Sequence, residues 1–331
     1  MKKIAFRVAF SPQIGSGHMY RCSRLSLKLK KKGVRTYLFV YKKLNKKYNF
    51  ISKSFSYSVN IKSSKDEIQL IKKKNIKNIL IDDPNFNLLS QKKYKKNFKK
   101  LFIYQDIPKK NIADIIINHN YINQAKKIYK SLSKKNCKFF LGPKYYLMDN
   151  FKINKNKNKK KIISIFLGGN TPVNLLNRIF NILINLKLVG FKVIVFSVIF
   201  NKNLAIIKKK YPQIKIFVYR QKKQKYFFNI IASSKIFFSS GGSSIIESLF
   251  LKTPTVALSR SQNQLNNCKN LSKKNLIYFW KSTIENIQVK FFIEKLLNNN
   301  NFYLKFIKKL DIFIKKNYKN DLADKIFKKL L

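Results

Sequence analysis

The chain has 331 residues, 45% of them hydrophobic, with 72 Lys and Arg against 13 Asp and Glu and a formal charge of +59. A chain this long and this apolar is neither disordered nor a single small core, and two domains are the natural expectation. The charge would suit a polyanion or anionic lipid, but the lysines are spread over helix-like and loop-like stretches alike, among Ile, Asn and Phe, with no single stripe. No RNP, KH, helix-turn-helix or zinc-finger signature accompanies them, so no specific nucleic-acid partner is expected.

Other classes fall away on the same reading. The start "MKKIAFRVAF" resembles a signal peptide, but Arg7 interrupts its apolar run and no small-residue cleavage site follows. No segment reaches the ~18 uncharged apolar residues that would span a bilayer. Cys22, Cys137 and Cys268 are far apart and form no CxxC pair, so neither a zinc site nor a disulfide framework is expected. The expectation is a soluble, cytoplasmic protein, monomeric and without a membrane span.

In chain order, "KIAFRVAF", "VRTYLFVY", "NILIDDP", "KLFIYQD" and "DIIINHN" read as buried parallel strands. Between the first two, Cys22, Leu25 and Leu29 recur at helical spacing. Asn150–Lys161 is polar and charged, with nothing to pack, and reads as a linker. The pattern then restarts with "KIISIFLGG", "KVIVFSVIF", "IKIFVY", "SKIFFSSGG" and "TPTVALS", and a helical tail follows Val289. This predicts an N-terminal α/β domain over 1–150, a linker over 151–161 and a C-terminal α/β domain with a helical tail over 162–331. Both would be doubly wound, with ligands beyond the carboxyl ends of their strands, in a cleft that the two domains face.

Three segments carry chemistry. In "IGSGH" a strand ends in a loop containing Gly15 and Gly17 and opens a helix, which suits an anion. The same residues would also suit a bare strand-to-helix turn, since neither a Walker A ending nor the third glycine of a dinucleotide fingerprint is present. His18 stands at the start of that helix, where an imidazole can accept a proton at neutral pH or simply cap the helix. "LGGNTPVNLL" repeats the arrangement at Gly169 and Asn170. "SSGGSSIIESLFLKTPTVALSRSQNQ" combines Gly242, Ser243 and Ser244 with Glu247, an anion cradle beside an acid that could accept from a ribose diol. His119, in "NHN", reads as a loop histidine.

With these segments in order, the chain resembles the UDP-sugar hydrolases of pseudaminic acid biosynthesis, which act on UDP-2,4-diacetamido-2,4,6-trideoxy-β-L-altropyranose, and through them the MurG-type GT-B glycosyltransferases. The family's "IGxGHxxRCxxLA" reads here "IGSGHMYRCSRLS", its "GPxYxLL" reads "LGPKYYLM", and its "GGxDxxN" turn reads "GGNTPVN". Gly241, Gly242, Glu247, Pro254, Asn263 and Gln264 occupy the closing "GGxxxxE...P.....NQ" block. Ala9 stands where an Asp is usual, and the expected "DD" near the fifth strand is Gln105-Asp106.

The resemblance implies a GT-B-like fold and hydrolysis of a UDP-linked sugar, with His18 as general base or water-positioning residue. It places Gly15, Gly17, Arg21, Tyr145, Gly169 and Asn170 against the substrate. It likewise puts the diphosphate on Gly242, Ser243 and Ser244, the ribose on Glu247, and sugar or phosphate on Asn263 and Gln264. No metal or other cofactor is implied, because no acidic or histidine cluster would hold one. A glycosyltransferase with the same donor cradle is the alternative, since a fold does not settle a reaction.

Overall fold

The computed structural model describes residues 1–10, 17–41, 49–61, 63–148, 160–168, 173–186, 188–197, 205–206, 209–212, 216–220, 224–281 and 286–330. It divides into two units, Met1–Asp149 with Tyr318–Leu331, and Asn150–Asn317.

The first unit is built on apolar runs too short for helices and buried on both faces, the signature of parallel strands. They are β1 (Lys3–Val8), β2 (Arg35–Val40), β3 (Tyr57–Asn60), β4 (Asn78–Asp82), β5 (Lys100–Tyr104), β6 (Ile115–Asn118) and β7 (Lys138–Leu141). The sheet order is β3-β2-β1-β4-β5-β6-β7, every neighbour parallel. Helices α1 (Gly17–Lys30), α2 (Asn49–Ser52), α3 (Ser64–Lys73), α4 (Leu88–Asn97) and α5 (Ala125–Leu132) connect them. Side chains alternate along each strand, so the sheet carries two cores. Ile4, Phe6 and Val8 of β1 pack with Met19, Cys22, Leu25 and Leu29 of α1 on one face. Ala5 packs with Ile71, Tyr94 and Tyr129 on the other.

Local signals set the helix ends. Ser63 caps α3 by accepting from the Asp66 N–H, with Asp66 and Glu67 in its first turn. Asn87 caps α4 through the Ser90 N–H.

The second unit repeats the plan. Its strands are β8 (Lys160–Phe166), β9 (Lys192–Ser197), β10 (Ile216–Arg220), β11 (Ser234–Ser240), β12 (Thr255–Leu258) and β13 (Tyr278–Phe279). They form a parallel sheet in the order β10-β9-β8-β11-β12-β13. Its described helices are α6 (Val173–Leu183), α7 (Gln224–Ser233), α8 (Ser243–Phe250), α9 (Gln262–Lys273), α10 (Asn286–Asn298) and α11 (Asn300–Asn317).

The expected boundary of the second domain at residue 331 is corrected. After α11 the chain returns to the first unit, where α12 (Leu322–Phe327) buries Leu322, Ala323 and Ile326 in the same core as α1. The physical reason is burial: these side chains are almost fully removed from water there. Lys160 and Lys161, read as the end of the linker, open β8 instead; residues 151–159 lie outside the described residues.

Candidate functional site

In each sheet the strand order reverses once, between β1 and β4 and between β8 and β11. Loops leaving the carboxyl ends of two such strands diverge to opposite faces and leave a crevice, where open α/β sheets bind ligands. Both chemistry-bearing ends of this chain lie at these points.

In the first unit, α1 presents His18 at its second residue. Strand β4 ends on Asp82, which pairs beside Val8 and accepts from the Ala9 N–H at 2.9 Å. That register brings the Asp82 carboxylate to the exit of β1. His18 Nδ1 lies 2.6 Å from Asp82 Oδ1. Arg21, one turn along α1, donates from Nε to Asp82 Oδ2 and from Nη2 to Oδ1, each at 2.5 Å. Its Nη1 donates to Asp106 Oδ1 at 2.7 Å, and the Tyr104 ring lies 4.5 Å from its Cζ. The buried Cys22 thiol also donates to Asp82 Oδ2, at 3.4 Å.

The electrostatics follow from this packing. Burial opposes ionisation of Asp82, but Arg21 and His18 outweigh it and hold the carboxyl well below the ordinary range. Asp106 is also lowered, burial being overcome by Arg21. Burial disfavours the Arg21 cation, yet Asp106 and Asp82 keep it charged. Burial and Asp82 together push the Cys22 thiol up, away from thiolate chemistry.

An ionised Asp82 settles the imidazole tautomer. A bare Nδ1 lone pair facing a carboxylate oxygen at 2.6 Å would be repulsive, so Nδ1–H donates to Asp82. Arg21 Nη2, 3.0 Å from Nδ1, donates to Asp82 Oδ1. In a neutral ring so oriented, Nε2 would carry the lone pair, the geometry of an oriented general base.

His119 is buried after β6, packed edge-on against Tyr104 and Tyr146 at 6.4 and 5.0 Å. Burial, reinforced by Arg21, lowers its pKa to about 4. On the other face of β1, Arg7 donates to Asp83 at 3.3 Å and lies 3.7 Å from the fully buried Glu67, among the rings of Tyr41, Phe86 and Tyr94.

In the second unit, β11 runs into Gly241-Gly242 and α8 begins at Ser243, with Gly242 as its cap and no side-chain capping bond. The first N–H groups of a helix have no partner within it. A Cβ at Gly241 would stand 2.7 Å from Cys268 Sγ, Gln264 Cβ and the Gln264 carbonyl, so only glycine admits α9 this closely. Asn267 Nδ2 donates to the Gly241 carbonyl at 3.1 Å and fastens the turn. Ser244 is buried and its hydroxyl shares a 2.7 Å hydrogen bond with Ser239, while Ser243 is half-buried. Glu247 is buried in the second turn of α8, too far along for a first-turn dipole contact to account for it. Gln264 accepts from the Arg260 N–H at 2.9 Å, and Arg260 Nη1 donates to the Leu167 carbonyl at 2.7 Å, across the β8 exit at Gly168.

The sequence-derived residues thus sort by unit. His18 and Arg21 come together in the first, and Gly242, Ser243, Ser244, Glu247 and Gln264 in the second. Gly17 opens α1 exposed, and a Cβ there would meet nothing within 4 Å. Tyr145 is half-buried against Phe140, at 5.3 Å, on the edge of the first core. Gly15, Gly169, Asn170 and the side chain of Asn263 lie outside the described residues. Asp82 and Asp106 complete the His18 cluster; the sequence marked Asp106 only as part of the altered "DD", with no role, and did not mark Asp82 at all. Their signal was position, since both follow buried runs directly in a chain with 13 acids.

No family model matches the chain. It is 27% identical over 281 residues to an uncharacterized protein of Methanocaldococcus jannaschii, an alignment covering 79% of this chain. The chain spans 56% of that relative's length. Among solved structures it is similar to the glycotransferase of kitacinnamycin, with TM-score 0.70, 11% identity and coverage of 100% and 99% of the two chains. It is similar to MurG of Acinetobacter baumannii, with TM-score 0.68, 9% identity and 98% of each chain covered. It also matches UDP-GlcNAc 2-epimerase of Neisseria meningitidis bound to UDP-GlcNAc, with TM-score 0.69, 12% identity and 99% of each covered. Identities this low speak for the fold alone, and the chain has it: two doubly wound parallel α/β units of the GT-B kind.

Proposed function

We propose that the chain acts on a nucleotide-linked sugar, and that it hydrolyses a UDP-linked 2,4-diacetamido-2,4,6-trideoxy sugar at its anomeric carbon. The observation that carries this reading is the His18 Nδ1–Asp82 contact of 2.6 Å at the reversal point of the first sheet. In this mechanism His18 Nε2 takes a proton from water, the hydroxide attacks C1, the C1–O bond breaks and UDP leaves with the electron pair. Asp82 orients the imidazole and offsets the positive charge it gains, an arrangement worth about 10²–10⁴ in rate. The diphosphate rests on the α8 N–H groups with Ser243, Glu247 accepts from the ribose, and Gln264 contributes a polar contact. Similar folds among a glycotransferase, MurG and an epimerase bound to UDP-GlcNAc agree with a nucleotide-sugar substrate.

A transferase would use the same cradle and deliver the sugar to an acceptor in place of water. Incubation with the UDP-sugar alone in ¹⁸O-water separates the two. Hydrolysis gives UDP and free sugar, with the label on the sugar's anomeric oxygen. No turnover without an acceptor would favour the transferase. His18→Ala abolishes turnover and leaves UDP binding measurable by calorimetry; loss of both together would give His18 a structural role.

A further inference from the structure

We propose that the outward face of α11 is a docking surface for an anionic lipid bilayer, on which the chain rests at headgroup level. Lysines are spread over the whole sequence, but the second unit gathers five of them onto one side of one helix. α11 spans 18 residues and buries Tyr303, Phe306, Leu310 and Phe313. Phe306 packs edge-on to Phe292 of α10 at 6.1 Å, and Phe313 stacks on Phe250 of α8 at 6.4 Å. Lys235 of β11 lies 3.6 Å over the centre of the Tyr303 ring. These contacts settle which side of the helix faces the unit.

Lys305, Lys308, Lys309, Lys315 and Lys316 fall on the opposite side and all are exposed. Leu304 and Ile312 stand among them, 54% and 61% exposed. At about 100° per residue these seven positions share an arc about 140° wide, and they run along about 18 Å of helix. The one acid of α11, Asp311, is half-buried and pairs with Lys252. Among the described residues no acid pairs with any of the five lysines.

Charge and side-chain type together choose the partner. Five uncompensated lysines repel a second copy of the same face and suit a negatively charged surface. The exposed side chains between them are aliphatic, with no aromatic ring or amide from Leu304 to Lys316. Nucleic acids are held by stacking rings and read by amide or guanidinium forks. Aliphatic chains gain instead by leaving water at the acyl boundary of a membrane, while lysine stems reach back to the headgroups. The face uses none of the residues assigned to the substrate, so this inference stands apart from the reaction proposed above.

The test uses the full chain and vesicles of phosphatidylcholine, with or without about one third phosphatidylglycerol, at about 0.15 M salt. A chain of this charge adheres to any polyanion, so variants of matched charge make the comparison. The wild type should co-sediment with the anionic vesicles and not with the neutral ones. Leu304→Gln with Ile312→Gln leaves the charge unchanged and should weaken binding about tenfold or more. Replacing the five lysines of the arc by Gln should weaken it about a hundredfold or more. Replacing Lys72, Lys73, Lys92, Lys126 and Lys127, exposed on helices of the first unit, removes the same charge and should weaken it less than about fivefold.

Gln suits a helix, so melting temperatures should stay near that of the wild type. Leu304→Trp gives a second readout beside Trp280, which is buried. Its emission should shift to the blue on anionic vesicles and be quenched by brominated acyl chains. Equal losses from the two lysine sets, equal binding to neutral vesicles, unchanged binding in the Leu304 and Ile312 variant, or an unquenched indole at position 304 would overturn the proposal. So would a single-stranded RNA that displaces the vesicles and loses its own binding with the arc lysines, a result that would give the face to nucleic acid.

Discussion

Asp82 and Asp83 are consecutive, yet they serve opposite faces of the first sheet. Asp82 accepts from Arg21 and His18 on the α1 face, and Asp83 accepts from Arg7 on the other. Arg7 lies between Phe6 and Val8, which belong to the α1 core, so its own side chain points away from α1. The corner after β4 is thus held by an arginine from each side. Asp82 cannot drift from His18 without also disturbing Asp83 and Arg7.

Asp82→Asn is the direct probe of the base. The amide keeps the shape but can present N–H to Nδ1, which turns the ring proton to Nε2 and blocks the lone pair. UDP release should fall about 10²–10⁴-fold, with UDP affinity unchanged by calorimetry. Activity near wild type would remove Asp82 from the mechanism.

The same carboxylates set the acid stability of the first unit. Asp82 and Asp106 have native pKa values below the ordinary Asp value, Asp82 far below. Asp114, held between Lys134 and Lys95, is shifted the same way. The unfolded chain therefore binds protons first as pH falls, so their stabilisation is complete above about pH 5 and drains away below about pH 4. Urea midpoints should fall steeply between pH 5 and pH 3, and Asp82→Asn with Asp106→Asn should flatten that slope. An equally steep loss in the double variant would assign the acid limb elsewhere.

Much of this was legible in the sequence, for reasons that also say what was not. Strands such as "KIAFRV" and "SKIFFSS" are buried on both faces and announce themselves as unbroken apolar runs. Strands β3, β7 and β13 lie at or next to sheet edges, are four residues or fewer, and carry exposed or half-buried positions, so no periodicity marks them. The amphipathic tail announced helices but not which core would receive them. His18 stood out by its glycine loop. Asp82 did not, because its nearness to His18 depends on β4 pairing beside β1, a fact of strand order that local sequence does not carry.

The two serines that open α8 should behave differently. Ser244 spends its hydroxyl on Ser239, so Ser244→Ala should cost about 0.5–1.5 kcal/mol of stability and leave UDP affinity nearly unchanged. Ser243→Ala should leave stability alone and weaken UDP binding about 3- to 10-fold, the worth of one hydrogen bond. Melting curves and calorimetry on both variants decide this, and the reverse pattern would move the phosphate away from Ser243.

Gly241 and Gly242 form a second contrasting pair. At Gly241 a methyl group would strike a backbone carbonyl as well as Cys268 and Gln264, so Gly241→Ala should lose about 1–3 kcal/mol, with Cys268→Ala unable to rescue it. At Gly242 the nearest atom is Gln264 Nε2 at 3.8 Å and φ is −83°, which any residue adopts. Gly242→Ala should therefore fold and report on UDP binding alone. A Gly241→Ala protein as stable as wild type would show that α9 is not held against the turn.

Leu322, Ala323, Ile326 and Leu330 share a core with Met19, Cys22, Leu25 and Leu29, so α12 covers the helix that carries His18. Backbone carbonyls fasten it further, with Lys2 donating to Leu330 at 2.9 Å and Lys100 to Lys329 at 2.6 Å. Ile326 is fully buried, and Ile326→Ala should cost about 2–5 kcal/mol. Asp324→Asn removes only the surface pair with Lys32 and should cost at most about 1 kcal/mol. Hydrogen exchange on full-length Ile326→Ala should show faster exchange in α1 and β1, with β8, β11 and β12 as in the wild type. Because α1 holds His18 against Asp82, the same variant should lower UDP release before it lowers UDP affinity. Loosening confined to the second unit would mean that the tail stabilises the wrong core for this account.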